Sequence, residues 1–239
     1  MNSLMITPIG IGIIGIYSAI ICVALLWPLF RLLRNSRWKL WIVSIVGFPL
    51  LAAPWAEEAW IAWHFNEACK DAGVKVYRQV EVDGYLDSLS PQKRRSVDSG
   101  SYPTPRKVDF EEGGYRYHEE TLTDGGVSHH ERVGDQILVS ILDKPRARYL
   151  LRYAYQPEPS VHEEPIGWRL EKVERQVVDR ETGEILGREI FIKRWAPIAD
   201  ALWAQFIGST LTICPGPAVK PFVPSPLFPQ VVLKPILKP

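Results

Sequence analysis

Two long apolar segments with a short basic segment between them form the start of the chain, residues 1–56. Residues 1–30 contain no charged side chain, and neither do residues 40–56. A helix over residues 8–30 would be about 34 Å long, which is enough to cross a hydrocarbon core of roughly 30 Å. The second segment is near the lower length limit for a span. The pattern predicts a transmembrane hairpin over residues 1–56, with spans at 8–30 and 40–56 joined by the loop 31–39.

The cations of the loop set the expected orientation of this hairpin. They are Arg31, Arg34, Arg37 and Lys39. Short loops rich in Lys and Arg stay in the cytoplasm, so the N-terminus and everything after about residue 57 are expected outside it. In a bacterial cell this predicts an inner-membrane protein with two spans and a large periplasmic domain. The lipid bilayer is then its first expected partner.

Three other interpretations of the apolar segments remain open. Residues 40–56 follow a basic run, as does the hydrophobic region of a cleaved signal peptide. Against this, the residues before Glu57 are Pro-Trp-Ala, which is not the small-residue pattern of a cleavage site. An inverted hairpin would place the large domain in the cytoplasm. Both segments are also compatible with buried helices of a soluble protein.

Residues 57–214 predict an α+β domain, in which one helix precedes a mainly antiparallel sheet of five or six strands. Apolar residues recur at three- and four-residue spacing over residues 57–72, which extends the second helix beyond the membrane. From residue 74 to 82 apolar and polar residues alternate, as in a half-buried strand. Residues 137–142, ILVSIL, are apolar on both faces and are therefore expected in the centre of the sheet. Further strands are expected at 115–123, 129–133, 148–155, 168–178 and 185–195, and a short helix at 197–207.

The end of the chain, residues 215–239, predicts an extended, polyproline-like tail, because eight of its positions are proline. The segment is too apolar for a solvating tail. It is expected either to lie along its own domain or to dock on another protein. In the second case the expected partner-binding residues are Phe222, Leu227 and Phe228.

Cysteine usage is consistent with an oxidising compartment for the large domain. Cys22 lies in the first expected span, whereas Cys69 and Cys214 are the two cysteines of the rest of the chain. Outside the cytoplasm such a pair is expected to be oxidised, so a Cys69–Cys214 disulfide is predicted. There is no C-x-x-C spacing, so redox catalysis is not expected.

Two clusters of histidine and acidic residues suggest a metal site. On a strand His118 and Glu120 share a face, as do His129 and Glu131. A hairpin through the turn Thr-Asp-Gly-Gly would gather these four side chains as metal ligands. Solvated polar residues on a sheet surface are the alternative interpretation. The patterns H-E-x-x-H, G-x-S-x-G, the P-loop and the dinucleotide fingerprint are absent, so no catalytic residue is assigned and no cofactor is expected.

The distribution of charge excludes one class of partner. The chain has 28 Lys and Arg against 27 Asp and Glu. Residues 1–56 hold four of the cations and no acid, so residues 57–239 carry 24 basic and 27 acidic side chains. A mildly acidic domain is not expected to bind nucleic acid.

The run FNEACKDAGVKVYRQVEVDGY, residues 65–85, places a cysteine on a helix and follows it with Gly-Val-x-Val-Tyr. In this run the sequence resembles uncharacterised proteobacterial proteins that are membrane-anchored and periplasmic. The resemblance implies a location and no activity.

Two hypotheses of function follow from these features. The first is an inner-membrane-anchored periplasmic module that binds another protein, either as an accessory subunit of an envelope complex or as an immunity-type protein that blocks a toxin. The alternative is a membrane-tethered hydrolase, with or without a metal, that acts on an envelope substrate. The missing catalytic patterns and the apolar tail favour the first hypothesis.

Overall fold

A computed structural model of the 239-residue chain describes residues 8–92, 114–134, 136–158, 161–196, 198, 212–215 and 228–236. In these ranges the protein is α+β, with a helical N-terminal region followed by a mainly antiparallel sheet domain. The chain divides into two compact units. Unit 1 comprises Met1–Lys70, Pro165–Glu171 and Ile192–Ala218, and unit 2 comprises Asp71–Glu164, Lys172–Phe191 and Val219–Pro239.

Unit 1 contains the apolar N-terminal helices. Helix α1 spans Pro8–Ile21, a π-helical turn spans Cys22–Leu26, α2 spans Trp27–Leu32 and α3 spans Lys39–Cys69. Two stretches, Ile9–Leu32 and Lys39–Cys69, are long and apolar enough to cross a membrane. Their large apolar side chains face outward, for example Ile16 at 64% and Phe48 at 75% exposure. Buried helices of a soluble core would hide most such side chains within the chain.

A proline in α3 creates a contact between the two apolar helices. Pro54 has no backbone N–H, so it cannot donate to the carbonyl of Leu50, four residues earlier. The Tyr17 hydroxyl of α1 donates to this carbonyl at 3.0 Å. A Cβ at Gly47 would lie 3.0 Å from the Leu26 side chain, so glycine permits the close approach there. One proline and one glycine thus shape the surface on which the helices meet.

Helix α3 is the continuous helix that the sequence predicts from the second apolar segment onward. It includes the predicted span 40–56 and most of the predicted helix 57–72, and it ends at Cys69. Gly73 begins the first strand with a φ of 112°, a conformation that glycine adopts without strain.

The C-terminal half of α3 is bonded to later segments of unit 1. Cys69 forms a disulfide with Cys214, with a Cα–Cα distance of 5.9 Å, which confirms the predicted bridge. Cys22 is a free, exposed thiol. The buried carboxylate of Glu58 accepts a hydrogen bond from the buried guanidinium of Arg194. Because each charge has its partner, neither is left uncompensated in the interior.

Ten of the described strands form one sheet, and two form a small second sheet. The strands are β1 Gly73–Val76, β2 Val80–Val82, β3 Gly84–Gln92, β4 Tyr117–Leu122, β5 Val127–Val133, β6 Gln136–Leu142, β7 Tyr149–Tyr153, β8 Glu164–Gly167, β9 Leu170–Asp179, β10 Ile185–Arg194, β11 Thr212–Cys214 and β12 Leu233–Pro235. The main sheet has the order β1-β10-β9-β7-β3-β4-β5-β6, with β11 beside β10 and β8 beside β9. Strand β3 runs parallel to β4 and β7, whereas β4, β5 and β6 form an antiparallel meander.

Most predicted strands are present, with their ends shifted by one or two positions. The alternating segment 74–82 is divided into β1 and β2, whereas β3, β8, β11 and β12 have no counterpart in the prediction. Strand β6 lies at an edge of the main sheet, which corrects the expectation of a central position. The helix expected at 197–207 lies outside the described residues, apart from Ile198.

The end of the chain belongs to the core of unit 2. A short helix, α4, spans Phe228–Val232, and β12 follows it and pairs in parallel with β2. The Tyr115 hydroxyl donates to the Leu233 carbonyl at 2.6 Å. A Cβ at Gly187 would lie 2.5 Å from the Val232 side chain, so glycine on β10 gives α4 its room. Of the two alternatives for the tail, residues 228–236 lie on their own domain.

This placement corrects one predicted partner-binding residue. Phe228 is fully buried with the other members of the core, which are Val82, Tyr85, Leu89, Tyr115, Leu151, Val177, Leu186, Val232 and Leu233. Its ring is therefore part of the fold and is not offered to a partner. Phe222 and Leu227, the other two predicted residues, lie outside the described residues.

Candidate functional site

A three-residue turn sets the register of the β4–β5 hairpin. Residues 123–125 form the turn, and Gly125 has a φ of 88°. The Leu122 amide donates to the Gly126 carbonyl at 2.8 Å, so these two residues close the ladder. Glycine adopts such a positive φ without strain, which is why this turn suits Thr-Asp-Gly-Gly. The loop length then assigns every residue of β4 its partner on β5.

The register separates the four predicted metal ligands onto two faces of the sheet. His118 pairs with His130, and neighbouring residues of a strand point to opposite faces. His118 and Glu120 therefore share one face, whereas His129 and Glu131 share the other. Within the described part of the chain, no group of three or more His, Cys, Asp or Glu is placed to hold a metal ion. The predicted four-ligand set is corrected to two separate pairs.

A buried carboxylate, Glu119, is the centre of the face that carries His129. Its Oε1 accepts hydrogen bonds from His129 Nδ1 at 2.9 Å and from the Arg146 amide at 3.1 Å. Its Oε2 accepts from the Ala147 amide at 3.0 Å. An ionised carboxylate can only accept, so the proton of the neutral imidazole lies on Nδ1. The other ring nitrogen of His129, Nε2, then presents a lone pair.

A pocket of about 190 Å³ opens beside this histidine. Its lining residues are Asp83, Arg116, Tyr117, His129, Glu131 and Arg146. His129 Nε2 lies 3.8 Å from Glu131 Oε2, and Arg116 forms an ion pair of 3.4 Å with the other oxygen of Glu131. The pocket therefore combines a histidine lone pair with charges of both signs.

Tyr117 forms one wall of the pocket and orients the histidine ring. Its ring stacks on His129, with the centroids 5.3 Å apart and the planes at 29°. Burial raises the pKa of the Tyr117 hydroxyl, and the negative charges of Glu119 and Asp83 raise it further. The tyrosine is therefore a neutral donor at physiological pH.

The opposite face of the hairpin is a second, more enclosed polar cluster. His130 Nε2 is hydrogen-bonded to Ser128 Oγ at 2.9 Å, and His118 lies beside it with ring centroids 6.5 Å apart. Burial lowers the pKa of His130 to about 4, with a smaller contribution from His129. His118 Nδ1 is 3.9 Å from Glu120. This cluster keeps His130 neutral at physiological pH and is closed to solvent, so it is suited to structure rather than to binding.

Strand β6 completes the meander as an exposed edge. Among the described strands β5 is its only neighbour, so the other side of its backbone has no strand partner there. Leu138 is 54% exposed and pairs with Glu131, which places it on the pocket face. Ile137 is 37% exposed on the other face. An uncharged edge strand with exposed apolar side chains is a template for strand addition.

The arrangement has two chemical capacities. His129 can take a proton at Nε2 while Glu119 stabilises the resulting imidazolium through Nδ1, which is the pairing that general-base catalysis uses. The edge of β6 can accept backbone hydrogen bonds from an extended segment of another chain.

Sequence reasoning missed Glu119, Tyr117 and Arg146 as members of this site. The first two alternate with the predicted ligands along β4, and Arg146 comes from the loop before β7. The signal that would have found Glu119 is the turn, because a three-residue loop at 123–125 places it opposite His129.

Comparisons with known proteins identify no relative of this chain. No protein-family model matches the sequence, and no curated protein and no solved structure matches it either.

Proposed function

We propose that the protein is a bacterial inner-membrane protein whose α+β domain lies in the periplasm and binds another protein there. Two independent features support this location. Residues 31–39, at the junction of the two apolar helices, carry four cations and no acid, which favours a cytoplasmic position. The Cys69–Cys214 disulfide favours an oxidising compartment for the other end of α3.

The exposed indoles of the helical region agree with a membrane-spanning orientation. Tryptophan concentrates at both membrane–water interfaces, where its ring is half buried and half hydrated. Six tryptophans near or just beyond the ends of the predicted spans 8–30 and 40–56 are exposed by 44% or more, namely Trp27, Trp38, Trp41, Trp55, Trp60 and Trp63.

The observation that carries the binding function is the edge of β6, which has no strand partner on its outer side among the described residues. An exposed apolar edge strand is an aggregation hazard that soluble proteins usually cover or charge. Here it has no charged residue, and Leu138 extends from it on the same face as the His129 pocket. A protein that adds a strand to this edge would cover Ile137 and Leu138. Such a contact would serve an accessory subunit of an envelope complex and an immunity-type protein that blocks a toxin equally well.

Site-specific photo-cross-linking in cells tests the binding function. A photoreactive side chain at Leu138 is expected to capture one discrete partner, whereas the same side chain at Tyr77, which is equally exposed at 54%, is expected to capture none. With the probe kept at position 138, Ile137→Lys should reduce the captured product by about tenfold, equivalent to ~1.4 kcal/mol, because it introduces a charge into the apolar interface. Equal capture at both positions would rule out β6 as the binding edge.

A hydrolase is the second candidate, and the His129–Glu119 hydrogen bond is the observation that favours it. His129 would remove a proton from water at Nε2, and Arg116 or Arg146 would stabilise the negative charge that develops on the substrate. The hydrogen bond from His129 Nδ1 to the Glu119 carboxylate favours the tautomer that this step requires.

Chromogenic p-nitrophenyl esters and phosphates provide the test of the hydrolase. His129→Gln is expected to abolish turnover, and Glu119→Gln to lower it by about 100-fold or more because the tautomer is no longer enforced. His130→Gln is the matched control, since this residue is adjacent but points to the other face. Equal loss in the His129 and His130 variants would mean that the effect is on folding alone.

A further inference from the structure

Unit 1 contains a second pocket, which lies between the two apolar helices. It has a volume of about 450 Å³, within the range of cavities that bind small organic ligands. Its wall is apolar except for a few polar groups, as in such cavities generally. The lining residues are Ile13, Ile14, Tyr17, Ala53, Pro54, Glu57, Trp168 and Ile198.

We propose that this pocket binds the acyl chain of a phospholipid whose headgroup carries a primary amine. The proposal rests on the proposed membrane location. In a bilayer the molecules that surround α1 and α3 are lipids, and an apolar cavity between these helices is filled from the hydrocarbon phase.

The Pro54 region gives the pocket its shape. Because Pro54 has no N–H to donate to the Leu50 carbonyl, the Tyr17 hydroxyl donates a hydrogen bond to that carbonyl at 3.0 Å. The polar end of Tyr17 is therefore satisfied within the protein, and its ring is left to line the cavity. Ala53, one residue before the proline, has a small side chain and keeps the adjacent wall open. Tyr17 and Ala53 together keep the pocket apolar and open.

Glu57 determines the headgroup. It is the one ionisable carboxylate among the described residues that line the pocket. Its Oε1 accepts a hydrogen bond from Trp168 Nε1 at 2.9 Å and lies 3.6 Å from Arg169 Nε. Both contacts use Oε1, and among the described residues Oε2 has no hydrogen-bond partner, so it can take a ligand. A carboxylate oxygen at the mouth of an apolar cavity attracts an ammonium group and repels an anionic headgroup.

The tryptophan and the arginine fix this carboxylate at the interface. The Arg169 guanidinium lies 5.6 Å from the centre of the Trp168 ring, and its Nη1 donates to the Ala196 carbonyl at 2.6 Å. The indole is 58% exposed, as expected for a ring at the level of lipid headgroups. The bound phospholipid would thus place its acyl chain between the helices, its amine at Glu57 and its phosphate near Arg169.

The test uses full-length protein reconstituted in nanodiscs of either phosphatidylethanolamine or phosphatidylglycerol, then released into mild detergent for native mass spectrometry. The wild-type protein is expected to retain one phosphatidylethanolamine and about tenfold less phosphatidylglycerol. Ile14→Trp fills the cavity and should remove the retained lipid. Ile16→Trp adds the same ring on the same helix at a side chain that is 64% exposed, and it should leave lipid retention unchanged. Glu57→Gln should keep a bound lipid but lose the preference for the amine.

A second cavity-filling variant and a membrane-extraction assay complete the test. Ala53→Phe fills the cavity from the other wall and replaces Ile14→Trp if that variant fails to form the disulfide. Retention that is equal for both lipids, or unchanged in the filled variants, overturns the proposal, as does co-purification of an apolar molecule other than a phospholipid. Carbonate extraction separates this result from the proposed function. A wild-type protein that leaves the membrane overturns both, whereas a membrane-integral protein without bound lipid overturns the lipid site alone.

Discussion

His130 links the stability of unit 2 to pH at the scale of a single residue. Burial lowers its pKa to about 4, from about 6.5 in an unfolded chain. Between these values the unfolded state binds more protons, so the stabilisation is complete above pH 6.5 and is lost as the pH falls towards 4. The free energy of unfolding should decrease by about 3 kcal/mol between pH 7 and pH 4 from this residue.

Urea unfolding at several pH values checks this prediction. His130→Gln can still hydrogen-bond Ser128 but does not titrate, so the variant should lack that part of the acid destabilisation. His162→Gln is the control, because this histidine is half-buried and stacked on Tyr153 away from the hairpin. If the His130 variant and the wild-type protein lose the same free energy between pH 7 and pH 4, the buried histidine is not responsible.

Tyr17 is expected to stabilise the pairing of the apolar helices through its hydroxyl. Tyr17→Phe leaves the ring in place but removes the donor to Leu50, whose carbonyl Pro54 cannot satisfy. Unfolding of the protein in detergent micelles by SDS titration should show a loss of about 0.5–1.5 kcal/mol. In a Pro54→Ala background the backbone N–H of residue 54 replaces the donor, so Tyr17→Phe should then have little effect. An equal loss in both backgrounds would contradict the link between proline and tyrosine.

Single residues can be predicted from the sequence where their chemistry allows few alternatives. Cys69 and Cys214 are the two cysteines outside the apolar segments, and they are joined as predicted. The prediction that His129 and Glu131 share a face agrees with the register, but their expected partners His118 and Glu120 lie on the other face. A register shift of one residue exchanges the two faces of a strand, and alternation alone does not determine the register.

At the scale of elements, the strand β6 shows why composition does not determine position in a sheet. A strand that is apolar on both faces is expected in the centre, because there both faces are covered. In this protein the sequence QILVSIL forms an edge, and no residue of the strand is fully buried. The order of strands depends on contacts between distant segments, and a local pattern carries no information about them. A binding surface would explain the exposed apolar residues.

The short helix α4 is predicted to be essential for the stability of unit 2. Phe228 is fully buried, and truncation of a buried phenylalanine costs about 3–5 kcal/mol through lost burial and the cavity that remains. Phe228→Ala should therefore lower the midpoint of urea unfolding strongly. Val231→Ala on the same helix, where the side chain is 40% exposed, should change the free energy of unfolding by less than about 0.5 kcal/mol. Similar small effects of both variants would mean that the helix is not part of the core.

At the scale of the whole molecule, each compact unit is held together by contacts between segments that are distant in the sequence. Strand β12, near the end of the chain, pairs with β2, as the register of Leu233 with Val80 shows. The proline content of the tail predicts an extended conformation, which is wrong for the helix α4. The α+β class, the two apolar helices and most strands follow from local periodicity, whereas long-range pairs such as this one do not.

Unit 1 depends on the disulfide more than its secondary structure would suggest. The unit is assembled from three separate segments, and the last contributes β11, which pairs with the end of β10 at Ile192, Lys193 and Arg194. That pairing lies within the last segment itself, so among the described residues the segment is joined to α3 through the Arg194–Glu58 ion pair and through the bridge to Cys69, 145 positions away. The bridge removes the entropy of this loop from the unfolded state, and the loss of a native disulfide typically costs about 2–5 kcal/mol.

Reduction and substitution should therefore produce the same large effect. Cys69→Ala and the double variant Cys69→Ala/Cys214→Ala are expected to lose about 2–5 kcal/mol in urea unfolding, and the double loss should not exceed the single one because one bond is removed in both. A reducing agent should destabilise the wild-type protein to the same extent and leave the double variant unaffected. Cys22→Ala, at the free and exposed thiol, is the matched control and should behave as the wild type under both conditions. If reductant shifted neither the mobility on a non-reducing gel nor the unfolding midpoint of the wild type, the bridge would not join unit 1 in solution, and the redox argument for a periplasmic domain would lose its support.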